Sequence, residues 1–299
     1  DTLDFPVDLM DDRGTEVTLH ARPVRIASLT PANTEILFAL GDGASVVGGT
    51  DADDFPDGAD APVDVVVQGV VNAEQIVGLD ADLVLAGDFT AQDAIAQLRG
   101  VGIPVMVING ASVEAIIADI ELIGGAVGER DAASDIAFEM TARVDQVAAA
   151  AANAADAAGG APRVFYEIDA FDAIYGPAEG SFLADLVGLA GGEAITTGDP
   201  AVYSISLERL IADDPEIIIL GDAIYGTCPD AVVARDAWQD MTAVVNGDIR
   251  PVNDTIVTRP GPRLAEGLAA LATAIFPDIV LDPPAEPAPS CFTRRAPAP

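Results

Sequence analysis

The sequence predicts an α/β fold of two similar lobes, each built on a central β-sheet, joined by one long α-helix. Three observations predict it. Short apolar runs alternate with amphipathic helical stretches, the grammar of parallel α/β sheets. The segment NAEQIVGLDADLVLAG at Asn72–Gly87 recurs in pattern as SLERLIADDPEIIILG at Ser206–Gly221, with a constant offset of 134 residues. Between these copies lies Asp131–Ala158, rich in Ala and free of Gly and Pro, the composition of a long helix.

The elements follow in order. Residues VDLMDDRGTEVTLHARPVRIASL alternate apolar and polar around Asp12-Arg13-Gly14, which predicts a β-hairpin feeding a strand at Arg25–Leu29. Thr30 then stands as a helix N-cap with Pro31 in the first helical position; Ile36, Leu37 and Leu40 form the apolar stripe, and Gly41 ends it. Further strands are expected at Ser45–Gly49, Asp82–Ala86 and Pro104–Ile108, with helices between them. Each copy of the repeat opens with a cap residue and places Glu two positions later. A short amphipathic helix, an Asp-containing turn, four apolar strand residues and a closing Gly follow. Glu74 thus matches Glu208, Asp80 matches Asp214 and Gly87 matches Gly221, and a weaker echo relates Arg25–Gly41 to Arg163–Gly191. An ungapped match of this length favours two related halves over convergent helix-to-strand grammar.

The helix between the halves, at ~1.5 Å per residue, makes a rod of ~42 Å. It reads either as an ordinary surface helix or as a rigid connector, and the connector suits a protein that binds something in a cleft between lobes. The expected organisation is an N-terminal lobe over residues 1–128, a connecting helix over 129–160 and a C-terminal lobe over 161–281. Residues 282–299 form a Pro/Ala-rich tail, expected to be disordered and to act as a linker.

Composition narrows the function. The 299 residues carry 49 Asp plus Glu against 14 basic residues, a formal net charge of −35, yet half of them are apolar. Such a chain builds a core, unlike a disordered acidic tail. It offers no basic stripe for nucleic acid and no polybasic patch for anionic lipid. All the basic residues are Arg, with no Lys, and the acidic load is 35 Asp to 14 Glu. This composition resembles that of proteins from extreme halophiles; an ordinary acidic protein from a GC-rich genome is the plainer reading. No apolar run is long enough for a transmembrane helix. The chain begins without a charged-then-apolar leader, which fits a cytosolic protein or a mature exported one. Cys228 and Cys291 form either one disulfide or two unpaired thiols, and their spacing matches no metal or redox motif.

Catalytic equipment is missing. His20 is the only His and falls in the hairpin, so neither a Ser-His-Asp triad nor a paired-His zinc site can be assembled. There is no G-x-S-x-G elbow and no Lys to complete a phosphate-binding loop. The acidic run Asp51–Asp60 lacks the spacing of a calcium-binding loop and reads as a solvated loop. Asn253-Asp254-Thr255 fits an N-glycosylation triplet, a common coincidence. No catalytic residue, metal site or cofactor is expected.

At Arg25–Gly49, RIASLTPANTEILFALGDGASVVGG, the chain resembles the solute-binding proteins of ATP-driven cobalamin importers, the BtuF-like group. They belong to a helical-backbone class that also serves siderophores and haem. The resemblance continues through VVNAEQIVGLDADLVLAG, RVFYEIDAFDAIYGPAEGSFLADLVGLAGGEAI, SISLERLIADDPEIIILG and TRPGPRLAEGLAALA, from about residue 5 to about residue 280. Two Rossmann-like lobes on one long helix are that family's architecture.

The resemblance implies an extracytoplasmic, cell-surface protein, expected to be monomeric, that delivers cobalamin or a related corrinoid to an importer's permease and its ATPase. Glu74 and Glu208 occupy the positions at which this family docks onto permease arginines. Glu in a first helical turn also complements the helix dipole, worth ~0.3–1 kcal/mol, which is the plainer account of both. By similarity the ligand loops include Pro31, Ala32 and Asn33, and Asp53–Phe55 with Phe55 as the aromatic. In the second lobe they include Tyr166, Tyr175, Gly176, Tyr203 and the stretch Asp254–Arg259. Aromatic rings there would pack on the flat corrin face, while Asp254 and Arg259 would bond its amides and phosphate. Relatives often carry Trp in the cleft, whereas the only Trp here, Trp238, reads as peripheral. A ferric siderophore or haem receptor is the nearest alternative. Siderophores want an Arg cluster, and the expected cleft offers mainly Arg259 and Arg263; haem wants an axial Tyr or His. A chelatase-like or corrinoid-processing enzyme on a two-lobed scaffold would need a His or Lys in the cleft.

Overall fold

The computed structural model describes residues 5–59 and 61–289. The chain divides into two compact units. The first runs to Met140 and adds Pro260–Pro262; the second holds Thr141–Arg259 and the residues from Arg263 onward.

The first unit opens with the expected hairpin, β1 (Val7–Met10) against β2 (Glu16–Leu19), paired antiparallel. Its main sheet uses β3 (Ile26–Ser28), β4 (Val46–Thr50), β5 (Asp64–Val67), β6 (Val70–Val71), β7 (Leu83–Gly87) and β8 (Val105–Ile108). The order is β6-β5-β4-β3-β7-β8, and only the short β6 runs antiparallel. Between strands lie α1 (Pro31–Ala39), α2 (Ala73–Gly78), α3 (Gln92–Gly100) and α4 (Val113–Val127). The Thr30 side chain accepts from the Asn33 amide as N-cap, with Pro31 opening the helix. The β5–β6 pair is an addition to the strands expected from sequence. Strands β7 and β8 are buried along their whole length, which explains their unbroken apolar runs.

Helix α5 (Arg130–Ala158) spans 29 residues, and the division between the units falls inside it. Its buried positions are Ala133, Ala137, Met140, Val144, Val147, Ala151 and Ala155, a three- and four-residue spacing that holds one stripe to the core.

The second unit repeats the scheme. Strands β9 (Arg163–Glu167), β11 (Glu193–Ala194), β13 (Ile217–Leu220) and β14 (Ile249–Pro251) form a parallel sheet in the order β11-β9-β13-β14. A separate small ribbon pairs β10 (Ile174–Tyr175) with β12 (Ser204–Ile205). Its helices are α6 (Phe182–Leu189), α7 (Leu207–Asp213), α8 (Pro229–Val233), α9 (Thr242–Asn246), α10 (Asp254–Val257) and α11 (Leu264–Ile275). A core of Phe165, Ile218, Leu220, Trp238, Met241 and Ile249 lies against the sheet. Trp238 is buried in this core, with the Arg235 guanidinium 4.6 Å above the ring.

The repeat is structural. Asn72 caps α2 and Ser206 caps α7, each accepting an amide three residues on. Asp80 and Asp214, matched in sequence, both hold left-handed backbone, with φ of 51° and 44°. The tail does not begin loose: Arg143 and Gln146 of α5 donate to the carbonyls of Pro283 and Asp282. Two exposed polar side chains thus pin the start of a stretch expected not to pack. Cys228 carries no free thiol, and Cys291 lies outside the described residues.

Candidate functional site

In parallel α/β sheets, ligands gather at the loops leaving the carboxyl ends of the strands. In the first unit these loops are Leu29–Asn33 after β3, Asp51–Phe55 after β4 and Asp88–Thr90 after β7. Pro31 is half-buried at the start of α1, whereas Ala32 and Asn33 are buried. The Asn33 amide donates to the Ala86 carbonyl at 3.3 Å, tying α1 to β7. Asn33 is thus a buried amide with one donor serving a backbone carbonyl, rather than a side chain standing open on the loop. The acidic loop is likewise no simple solvated run. Asp53 is buried and accepts from Thr34 Oγ1, the Thr50 amide and Thr50 Oγ1 at 3.1, 2.9 and 2.8 Å. This clamp holds the loop that presents Phe55, 40% exposed.

Both closing glycines of the repeat are explained by close approach. A Cβ on Gly87 would lie 2.5 Å from Thr30 Cγ2, and one on Gly221 would lie 2.8 Å from Tyr166 Oη and 2.9 Å from Asp254 Oδ1. No larger residue fits where the strand end meets the next loop.

In the second unit, Tyr166 is wholly buried and donates its hydroxyl to Asp254 Oδ1 at 2.7 Å. Burial pushes the Tyr166 phenol well up, and the charge of Asp254 adds to the shift, so the phenol keeps its proton. Tyr166 is corrected from a ligand-facing ring to a core residue that positions Asp254. Asp254 also accepts from Thr258 Oγ1 at 3.0 Å. Burial pushes its carboxyl up; the hydrogen bonds from Tyr166 and Thr258 and the charge of Arg259 oppose that rise. Tyr166, Asp254 and Arg259 are thus brought together. Tyr175, Gly176 and Tyr203 form a second group on the β10–β12 ribbon, where the Gly176 amide donates to the Tyr203 carbonyl at 2.8 Å. Gly176 is buried, Tyr175 is half-buried and Tyr203 is 47% exposed.

A cavity of about 410 Å³ opens beside these groups, lined in part by Asp169, Phe171, Asp222, Tyr225, Thr227 and Arg235. Arg235 of this lining gives both terminal nitrogens to fully buried Glu167, the Nη2 contact being 2.7 Å. Sequence reasoning named none of these residues. It also missed the most exposed rings of the strand-end loops: Phe89 (99%) after β7, and Phe171 (94%) and Tyr225 (70%) after β9 and β13. The available signal was position. Each follows the end of a buried strand by two to five residues, in a chain with only 5% aromatic residues.

Glu74 and Glu208 do not join these groups. Each is exposed in the second position of its helix, after Asn72-Ala73 and Ser206-Leu207. Among the described residues, no group of His, Cys, Asp and Glu is arranged to hold a metal ion. No helix among them is long and apolar enough to cross a membrane.

Two parallel-sheet units with strand-end loops clamped from within define a ligand-binding protein of the α/β type. Residues 26–254 match the family model described as periplasmic binding protein, and the chain belongs to that family. It is 32% identical over 278 residues to an uncharacterized ABC transporter substrate-binding lipoprotein, YvrC, of Bacillus subtilis, covering 92% of this chain and 87% of the relative. It is 30% identical over 282 residues to the cobalamin-binding protein of Halobacterium salinarum, covering 90% of this chain and 74% of the relative. A periplasmic haem-binding protein from Pseudomonas aeruginosa shares the fold with a TM-score of 0.73 at 24% identity, covering 86% of this chain and 94% of that one. The chain is therefore a substrate-binding protein of an ABC transporter and not an enzyme.

Proposed function

We propose that this protein binds cobalamin or a related corrinoid at its strand-end loops, outside the cytoplasm, and hands it to the permease of an ABC importer. One observation carries the reading: the likeness to the cobalamin-binding protein of Halobacterium salinarum, which runs through 90% of the chain. The geometry supports it. Phe89, Phe171, Tyr225, Tyr203 and Phe55 present exposed rings on strand-end loops, as a large flat ligand requires. A corrinoid brings its own axial ligand and a rim of neutral amides, so it asks for no metal-binding side chain. Pro31, Ala32, Phe55, Tyr175, Gly176, Tyr203, Asp254 and Arg259 remain ligand candidates; Phe89, Phe171 and Tyr225 join them. Ferric siderophore and haem are the competing ligands of the same family, and the likeness to the Pseudomonas aeruginosa protein extends to fold alone. Glu74 and Glu208 are assigned to permease docking, and the protein acts as a monomer at the cell surface.

The test is calorimetry with cyanocobalamin in ~2–3 M salt, where the surface charge is screened. One-to-one binding is expected. Tight binding of a ferric siderophore or haem, with none of the corrinoid, overturns the assignment.

A further inference from the structure

The cavity of the second unit has an electrostatic character that the aromatic rings do not require. Arg235 is the only basic residue in its lining among the described residues, and its terminal nitrogens are engaged by buried Glu167. Those two charges offset each other, which leaves Asp169 and Asp222 as the surplus. Asp222 is 5% exposed, it lines the cavity, and among the described residues its Oδ1 has no hydrogen-bond partner. A buried carboxylate oxygen with an unmade hydrogen bond is costly, and an arriving N–H donor relieves that cost. An arriving carboxylate would instead meet two like charges with no uncommitted cation in the lining among the described residues.

We propose that this cavity receives an N–H donor of the ligand, a primary amide or an amine, and that Asp222 accepts it and excludes ligands presenting a carboxylate there. The inference rests on the corrinoid reading, whose ligand carries a rim of amides. The groups facing Asp222 are Tyr166 and Glu167 from β9, Asp169 from the loop beyond it, Thr227 and Arg235. Burial pushes the Asp222 carboxyl up to about 6; the hydrogen bond from Thr227 opposes this, Glu167 and Asp169 add to it, and Arg235 opposes it. Preference for the amide therefore strengthens as pH rises through that value and the carboxylate forms.

The experiment compares affinities for cyanocobalamin and for its monocarboxylic acid derivatives, each with one peripheral amide hydrolysed, from pH 5.5 to 8 at constant high salt. At least one derivative is expected to bind the wild-type chain about tenfold more weakly at pH 8, the factor for one charge-assisted hydrogen bond. That gap should narrow toward pH 5.5, and in Asp222→Asn it should fall to about twofold at every pH. The wild-type profile decides the matter even where the variant folds poorly. Equal binding of all derivatives by the wild type, or full discrimination by a folded Asp222→Asn, overturns this inference and leaves the corrinoid reading standing. Failure of the wild type to bind any corrinoid overturns both.

Discussion

Asp119 is buried on α4 and shares a hydrogen bond with Asp12, two acids where an unconstrained surface would place one. Burial pushes the Asp119 carboxyl up to about 8, and the charge of Asp12 reinforces it. In the unfolded chain the same group titrates near ~3.9. The folded state therefore holds a proton that the unfolded state has released between those values. Stability from this site is complete below the lower one and is lost as pH rises through the upper one. Asp119→Asn copies the protonated form without titrating. It is expected to melt several degrees higher than the wild type at pH 8, with the advantage shrinking toward pH 4.5; an equal shift at both would contradict the assignment. At this scale little was legible. Tyr166 and Asn33 carry the residue types of a ligand site, and only three-dimensional burial shows that the Tyr166 hydroxyl and the Asn33 amide serve internal partners. Phe89 and Phe171 stood in plain view, but exposure is set by where loops project, which periodicity does not encode.

Helices α2 and α7 were readable in detail, because their signals are local. A cap residue, an acidic first turn, an Asp able to hold left-handed backbone and a closing Gly act within sixteen positions, and each acts the same way in both copies. Glu74 and Glu208 are exposed in those first turns, and in neither copy does an ion pair hold them among the described residues. Docking onto a permease through them predicts a selective defect. The double substitution Glu74→Arg, Glu208→Arg should abolish uptake in cells while leaving ligand affinity within about twofold. The helix-dipole account alone predicts instead a loss of about 0.6–2 kcal/mol of stability for the pair, with uptake retained. Uptake and thermal melting, measured on the same variant, separate the two.

Over the whole molecule, charge dominates. With a net −35, the repulsion among carboxylates is long-ranged at low salt and collapses once the screening length falls from ~10 Å at 0.1 M to ~3 Å at 1 M. The ion pairs present work in the opposite sense, but most are partly exposed and individually weak, as with Arg22–Glu129 and Arg209–Asp213. Repulsion should win: the melting temperature is expected to rise by at least about 10 °C between 0.1 and 3 M KCl. A fall over that range would mean that ion pairing governs stability. The sequence by itself determined the α/β class, the duplicated halves and the long helix, since each is written in local pattern. The tertiary structure decided which side chains face outward. It put Trp238 in the core and made Tyr166 a support for Asp254, and it brought Asp222 and Arg235 to one cavity with Arg235 paired to Glu167, 68 residues away. Such groups meet only when parallel strands bring distant loops to the same sheet edge, and no local propensity carries that information.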